Sequence, residues 1–392
     1  MLQPIIAGTS FMLLAACGST IDNPPPQAGF SPAPAAAPVA PQPQPSNGGV
    51  RVALLLPLSA SGNAAAAAQS LRNAAQLALD EVKGGGLDLV VKDDGGNAQG
   101  AQAAAQQAID EGARAIIGPL FAPSVASAGQ VARSRGVPVI GFSTDTNVAT
   151  QGVYLLSFLP QSDVQRVVRF AASRGRRSFA ALIPANAYGS VVEAAFREVV
   201  PTAGGRVVGL EKYTSGNAAS YADAARRLAP SAAQADAIFI PDAGDAVPQV
   251  LAALQSAGVS LAGKQLMGTG LWDNARLAAN PAVAGGIFAA PDPAGYRAFA
   301  ERYRARFGSA PVRTASLAHD AVSLLAVIVG SQGPMGINDT AIQSPSGYTG
   351  VDGIFRFMSD GTNQRGLAVL QFANGTSKIV DPAPTSFAGG GF

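Results

Sequence analysis

The sequence predicts an α/β protein built from two doubly wound parallel-sheet lobes joined by three crossovers, with β-hairpin elements near its C-terminal end. Three observations predict this. Short apolar runs without alternation recur along the chain, as strands buried on both faces require. Stretches with a helical apolar period separate them, and that alternation builds parallel sheets covered by helices. The chain is also longer, at 392 residues, than one hydrophobic core usually serves.

The elements follow in order. Residues 51–56 (Arg-Val-Ala-Leu-Leu-Leu) form an apolar run closed by Pro57 and read as the first strand. Residues 64–83 read as a helix, with Leu71, Ala75, Ala78 and Val82 on one face and Gly84 as the stop. Residues 87–92 make the next strand, ended by Asp93-Asp94-Gly95-Gly96, which reads as an exposed turn. A helix over 99–111 and strands over 113–117, 137–142 and 178–183 continue the alternation. Strands over 235–240, 265–267 and 286–289 follow.

Residues 154–160 carry no turn signal and read as the first crossover between lobes. Residues 285–291 would return the chain, helices over 296–307 and 314–329 would complete the first lobe, and 330–336 would cross again. The lobes then comprise 50–158 with 287–332, and 159–286 with 333–382, leaving 383–392 as a flexible tail. The Ser-Asp-Gly turn after residues 355–357 and the Asn374-Gly375 turn after 367–372 are hairpin chemistry.

Before residue 50 the sequence is of another kind. The chain's one cysteine, Cys17, follows Leu14-Ala15-Ala16 and an apolar run over 5–14. Leu-Ala-Ala-Cys followed by Gly18 resembles the lipobox of bacterial lipoproteins. The resemblance implies a signal peptide over residues 1–16, cleavage before Cys17 and lipid on that cysteine. It also implies export and, with Gly18 rather than Asp after the cysteine, sorting to the inner face of an outer membrane. Nine prolines between Pro24 and Pro45 make residues 17–49 a tether that cannot bury a core. Fully extended at about 3.1 Å per residue, it would reach roughly 100 Å. Beyond the signal segment no apolar run approaches the length of a bilayer span.

Composition excludes some partners. A lone cysteine makes no internal disulfide. The formal charge is +2, aromatic residues are 6% of the chain, and basic residues are scattered, so nucleic acid is unsupported as a partner. Catalysis is poorly supported. The single histidine, His319, lies in a helical pattern and reads as a surface or core residue. No second histidine or cysteine cluster suggests a metal, and no cofactor motif occurs. Gly84-Gly85-Gly86 lacks the Gly-Lys-Ser of a phosphate loop.

In order and spacing, the segments Leu54-Leu55-Leu56-Pro57-Leu58-Ser59, Ile117-Gly118-Pro119-Leu120-Phe121 and Val137-Pro138-Val139-Ile140-Gly141-Phe142-Ser143 resemble the type I periplasmic binding proteins, the Leu/Ile/Val-binding group. Ala185-Asn186-Ala187-Tyr188-Gly189, Gly268-Thr269-Gly270-Leu271-Trp272-Asp273 and Gly350-Val351-Asp352-Gly353 extend the resemblance over about residues 50–380. Within that group the chain looks most like the penicillin-binding protein activator lipoproteins. The resemblance implies a ligand cleft between the lobes. Candidate cleft residues at the carboxyl ends of strands are Ser59, Phe121, Ser143, Thr144, Asp145, Tyr188, Asp242, Trp272 and Asp273.

Amino-acid binders of the group hold the ligand carboxylate with first-lobe amides and hydroxyls, and its ammonium with a second-lobe acid. Here Ala122 stands where a serine is expected, Asp145 where a threonine is, and Gly270 where the acid is; Asp273 is a substitute for that acid. A shift of two or three residues would restore a hydroxyl through Ser124 or Ser143. Plainer readings stand beside these. Ser143 and Thr144 could satisfy loop backbone, Asp242 could cap the helix from Ala246, Trp272 could seal the lobe interior, and Phe121 could pack.

The reading this sequence favours is a non-enzymatic, membrane-anchored lipoprotein activating a peptidoglycan synthase. The alternative is the substrate-binding protein of a branched-chain-type amino-acid ABC transporter, with an ABC permease as partner and an amino acid or peptide as ligand.

Overall fold

The computed structural model describes residues 48–82 and 86–388, so the expected lipidation at Cys17, the signal peptide and almost all of the tether lie outside the described residues. The first sheet holds β1 (Val50–Leu56), β2 (Leu87–Asp93), β3 (Ala115–Ile117), β4 (Val139–Gly141) and β5 (Val153–Leu155). They run parallel in the order β2-β1-β3-β4-β5. Helices α1 (Gly62–Glu81), α2 (Ala98–Asp110) and α3 (Ala122–Ser134) connect them.

The apolar run of β1 is explained by where its side chains go. Val52, Leu54 and Leu56 enter a core with α1, while Ala53 and Leu55 enter a separate core with α2 and α3. Successive strand residues face opposite sides, so a strand covered on both faces must be apolar at every position. Each buried leucine contributes roughly 1.5–3 kcal/mol.

The second sheet repeats the plan. After α4 (Pro160–Ser173) come β6 (Ser178–Pro184), α5 (Ala187–Thr202), β7 (Arg206–Tyr213), α6 (Ala218–Ala233), β8 (Ala237–Phe239), α7 (Ala246–Ser256) and β9 (Gln265–Gly268). A short α8 (Ala275–Ala278) leads to β10 (Ile287–Ala290). The parallel part is ordered β7-β6-β8-β9-β10, the same winding as the first sheet. Along β6, Ala180 and Leu182 face one core, and Phe179, Ala181 and Ile183 face the other.

The C-terminal part serves both lobes. α9 (Pro293–Phe307) and α10 (Ala315–Gln332) pack on the first lobe, with α10 against α1. After α11 (Asp339–Ile342), β11 (Tyr348–Gly350), β12 (Gly353–Phe357) and β13 (Asn363–Arg365) form a small antiparallel sheet. Phe355 and Phe357 of that sheet insert into the first-lobe core. Then β14 (Ala368–Ala373) and β15 (Thr376–Asp381) extend the second sheet, with β14 antiparallel to β10. Asn374 and Gly375, both at positive φ, close that hairpin as the sequence signal requires.

Three boundaries differ from the sequence expectation. β10 pairs with β9 and β14, so residues 287–290 belong to the second lobe and the chain returns only beyond Ala290. Residues 337–357 contribute to the first-lobe core, which moves the third crossover from 330–336 to Gly366, between β13 and β14. A short apolar strand looks the same in either sheet; pairing partners decide its lobe. The first crossover narrows to 156–159, because Tyr154 lies within β5. Residues 383–388 are not a loose tail, since the Arg356 guanidinium lies 4.5 Å over the Phe387 ring, while 389–392 are outside the described residues. α10 is long and apolar enough to cross a membrane, which the sequence reading overlooked, but most of it is buried against the first-lobe core.

Candidate functional site between the lobes

In both sheets the first strand is flanked by connections running in opposite directions, and such switch points place ligand-binding loops beyond the strands' carboxyl ends. In the first lobe these loops follow β1, β3 and β4. Gly118 shows how tightly they are built. It has φ +84°, and a Cβ there would lie 2.1 Å from the Leu55 carbonyl oxygen, so only glycine fits.

Several first-lobe loop groups bind one another, while Asp94 Oδ2 and Ser124 Oγ are buried without a partner among the described residues. The Ser59 amide donates to the Asp93 carboxylate at 3.2 Å, and the Gly95 amide donates to the same oxygen at 2.9 Å. Burial acts to raise the Asp93 pKa, but these bonds outweigh it and hold the carboxyl below its ordinary range. Asp94, read from sequence as part of an exposed turn, is fully buried. Burial pushes its carboxyl up to about 6, against the pull of the Gly96 amide and with the neighbouring Asp93 charge adding to the rise. Phe121 is 36% exposed and, with Pro57, borders Gly96 of this turn.

The loop after β4 is similar. Ser143 is buried, and its hydroxyl accepts the Asp145 amide at 3.0 Å. Asp145 in turn accepts the backbone and side-chain N–H groups of Asn147, capping a short 3-10 turn. Thr144 is exposed. Ser124, the alternative hydroxyl, is fully buried within α3. Ser143 thus satisfies a loop amide through its oxygen, and its O–H remains a donor.

The second-lobe loops are arranged differently. The Tyr188 hydroxyl and Thr269 Oγ1 are 2.7 Å apart, joining the ends of β6 and β9. Beside them, Asp163 in the first turn of α4 accepts the Gly270 amide at 2.9 Å. Burial pushes the Asp163 carboxyl up to about 7, with the Gly270 hydrogen bond opposing, and its charge in turn helps burial raise the Tyr188 hydroxyl. A Cβ at Gly270 would stand 3.2 Å from the Asp163 carboxylate. An acid from α4 therefore lies against position 270, where the resemblance implies one.

Asp242 accepts the Tyr213 hydroxyl at 2.9 Å and the Ser215 hydroxyl at 2.8 Å. It does not cap α7, whose N-cap is Asp245. Trp272 is a correction to the cleft assignment. It is fully buried, donates its indole N–H to the Ile240 carbonyl at 3.0 Å, stacks on Phe372 at 5.9 Å and packs across Gly268. Asp273 keeps a solvent-exposed side, yet its surroundings raise its pKa, and the positive charge of Arg313 from the first lobe opposes that rise. Arg313 is held by the fully buried Asp352 at 2.6 and 3.2 Å, and its guanidinium lies 4.5 Å over Phe158 and 4.3 Å over Tyr296.

Sequence reading missed Asp163, Thr269 and Arg313. Asp163 carried a weak signal, an acid in the first turn after Pro160, but helix-dipole stabilisation explains such an acid equally well. His319 is a structural group. It is buried, its Nε2 lies 2.9 Å from Glu81, and both Asp320 and Glu81 raise its pKa against the effect of burial.

With that geometry in view, a family model described as periplasmic binding protein matches residues 49–377. The chain belongs to the periplasmic binding protein family. The assignment implies an exported protein. A putative branched-chain amino acid ABC transporter protein from Rhodospirillum rubrum superimposes with a TM-score of 0.75 at 22% identity, covering 85% of this chain and 100% of that one. A leucine-binding protein from Thermotoga maritima gives 0.59 at 21% identity, with 85% and 98% covered. A solute-binding protein from R. palustris, solved with benzoate, gives 0.60 at 20% identity, with 88% and 99% covered. Identities this low carry the fold of a periplasmic binding protein, not its ligand. No curated protein matches the sequence.

Proposed function

We propose that this periplasmic binding protein is a non-enzymatic lipoprotein, anchored through Cys17 and extended by its proline-rich tether, that activates a peptidoglycan synthase by protein contact. The observation that carries the reading is the acid, Asp145, in the first-lobe loop. Where an amino-acid carboxylate would dock, Asp145 adds negative charge, and Ser124 is buried within α3. Like charge there opposes a carboxylate. The tether supports the same reading, because an activator must span the distance to an enzyme on the opposite membrane.

A second reading rests on the second lobe. Tyr188, Thr269 and Asp163 form a polar group suited to an amine or hydroxyl, which favours a solute receptor working with an ABC permease. Thermal unfolding of the purified protein with amino acids and cell-wall peptides separates the two. A ligand at 100 times its Kd adds about 2.7 kcal/mol. Silence across the panel, with capture of a cell-wall synthase, supports the activator; a shift with an amino acid overturns it. For the anchor, Cys17→Ser is expected to abolish lipid labelling and membrane retention, and a variant still labelled refutes lipidation at that residue.

A further inference from the structure

Basic residues that lie apart in the sequence gather at one edge of the second lobe. Four of its strands stand side by side in the order β7-β6-β8-β9. Arg206 opens β7, Arg177 immediately precedes β6, and Lys264 immediately precedes β9. Neighbouring strands are about 4.8 Å apart, so these starts span about 14 Å. Arg174 and Arg176 belong to the turn between α4 and β6, beside Arg177. Arg174, Arg177 and Arg206 are exposed, and Arg176 and Lys264 are half-buried.

The one acid at these four strand starts is Asp236, just before β8. Its carboxylate accepts the Arg177 and Ser178 amides at 2.8 and 2.9 Å. None of the five cations is in an ion pair among the described residues. Three of them are fixed by carbonyls instead. Arg176 donates to Gly263 at 3.2 Å, Arg177 to Ala203 at 3.3 Å, and Lys264 to Ala233 and Ala235 at 2.9 and 2.7 Å. Ala203 and Ala233 end α5 and α6, so two of these cations complement helix termini. Arg174, over the Phe170 ring at 5.1 Å, and Arg206 have no such role. Five cations against one acid is a concentration of charge in a chain whose total is +2. The matching edge of the first lobe mixes signs: Arg51 is paired with Asp88 at 3.1 Å, and exposed Asp110 ends α2.

The basic edge is also the far pole of the folded part. β5 ends at Leu155 and α4 starts at Pro160. In the first turn of α4, Asp163 meets Gly270 beyond the carboxyl end of β9. A short crossover thus joins the carboxyl edges of the two sheets, which puts their amino edges at opposite ends. The chain enters the first-lobe edge at Val50, and the basic edge faces away from it.

We propose that this edge binds an acidic segment of the partner protein, an inference that rests on the activator reading and gives it a contact surface. Four of the five cations are arginines, whose planar fork pairs with carboxylates through two parallel bonds. Exposed large apolar side chains of the described residues, Val327 and Met335 among them, lie elsewhere, so the edge has nothing to insert into a bilayer.

The test titrates a fluorescent oligoglutamate peptide with the purified full chain, read by anisotropy. An oligolysine peptide and sedimentation with equimolar phosphatidylcholine–phosphatidylglycerol vesicles serve as comparisons. Oligoglutamate is expected to bind, more weakly as salt rises. Arg174→Glu with Arg206→Glu is expected to weaken it at least about tenfold, and Arg114→Glu with Arg133→Glu in the first lobe to leave it unchanged. Arg174 and Arg206 are exposed and donate no hydrogen bond among the described residues, so their variant is expected to fold. Should it not, Arg206→Gln decides, with a severalfold loss expected. No binding, tighter binding of oligolysine, equal loss in the first-lobe variant, or tighter binding to vesicles (a lipid surface) would overturn the proposal. Capture of a penicillin-labelled synthase separates this inference from the function beneath it. If wild type and Arg174→Glu/Arg206→Glu capture the enzyme equally, this surface is wrong and the activator reading stands. If neither captures it while oligoglutamate still binds this edge, the activator reading fails and the surface for acidic protein stands.

Discussion

The two lobes share one winding order, but the side chains at their carboxyl-end loops are tied differently. In the first lobe, Asp93, Ser143 and Asp145 each accept backbone N–H groups of nearby loop residues. In the second, Tyr188, Thr269 and Asp163 come from three separate elements and meet only in space. Topology fixes where a site can be, and the individual side chains decide whether one is there.

The sharpest way to break this comparison is through the residue that supports the second-lobe loop from below. Trp272→Ala should cost about 3–5 kcal/mol, because a fully buried ring stacked on Phe372 leaves a cavity. Phe121→Ala, at the matching rim of the first lobe, should cost under about 1.5 kcal/mol, since its ring is partly exposed. Urea unfolding of the two variants measures the difference, and equal losses would contradict the burial contrast.

Next comes the tie at the crossovers. Asp352→Ala removes the buried partner of Arg313, and about 3 kcal/mol of stability should go with it. A loss below about 1 kcal/mol would mean that Arg313, 40% exposed, simply turns to solvent.

The pH dependence sharpens the contrast in chemistry. Asp163 has a folded pKa of about 7, above its ordinary value of 3.8. The folded state thus binds this proton more tightly, and the stability it gives is full below about pH 4 and lost as pH rises through about 7. Asp94, at about 6, acts in the same direction. Asp163→Asn should flatten the decline in melting temperature between those limits and should be more stable than wild type at pH 8. An unchanged slope would place Asp163 in solvent.

The smallest effect belongs to Asp145, an exposed cap on a 3-10 turn. Asp145→Ala should cost about 0.5–1 kcal/mol. A larger loss would show that the first-lobe loop depends on that carboxylate for more than its cap.

Much of the fold is readable in the sequence because it depends on local pattern. The all-apolar runs of β1 and β6 have to be covered on both faces, and Asn374-Gly375 has to close a tight hairpin. The site is less readable. Ser59, Phe121, Ser143, Thr144, Asp145 and Tyr188 all fall at strand ends, as chain order predicts, but the hydrogen bonds that occupy Ser143 and Asp145 depend on loop geometry. Trp272 sits in the same segment as Thr269, yet the tight fit over Gly268 turns it into the core.

By itself, then, the sequence determined two doubly wound sheets, the order of their strands' loops and an N-terminal segment of separate composition, because periodicity and turn chemistry act between near neighbours. Only the tertiary structure decided that β10 belongs to the second lobe, that Asp163 fills the space left by Gly270, and that Arg365 lies buried between crossovers. Those outcomes depend on contacts between residues up to about two hundred positions apart, such as Arg365 with Ser157. Burial and pairing at that distance follow from how the sheets close on one another, which no local pattern encodes.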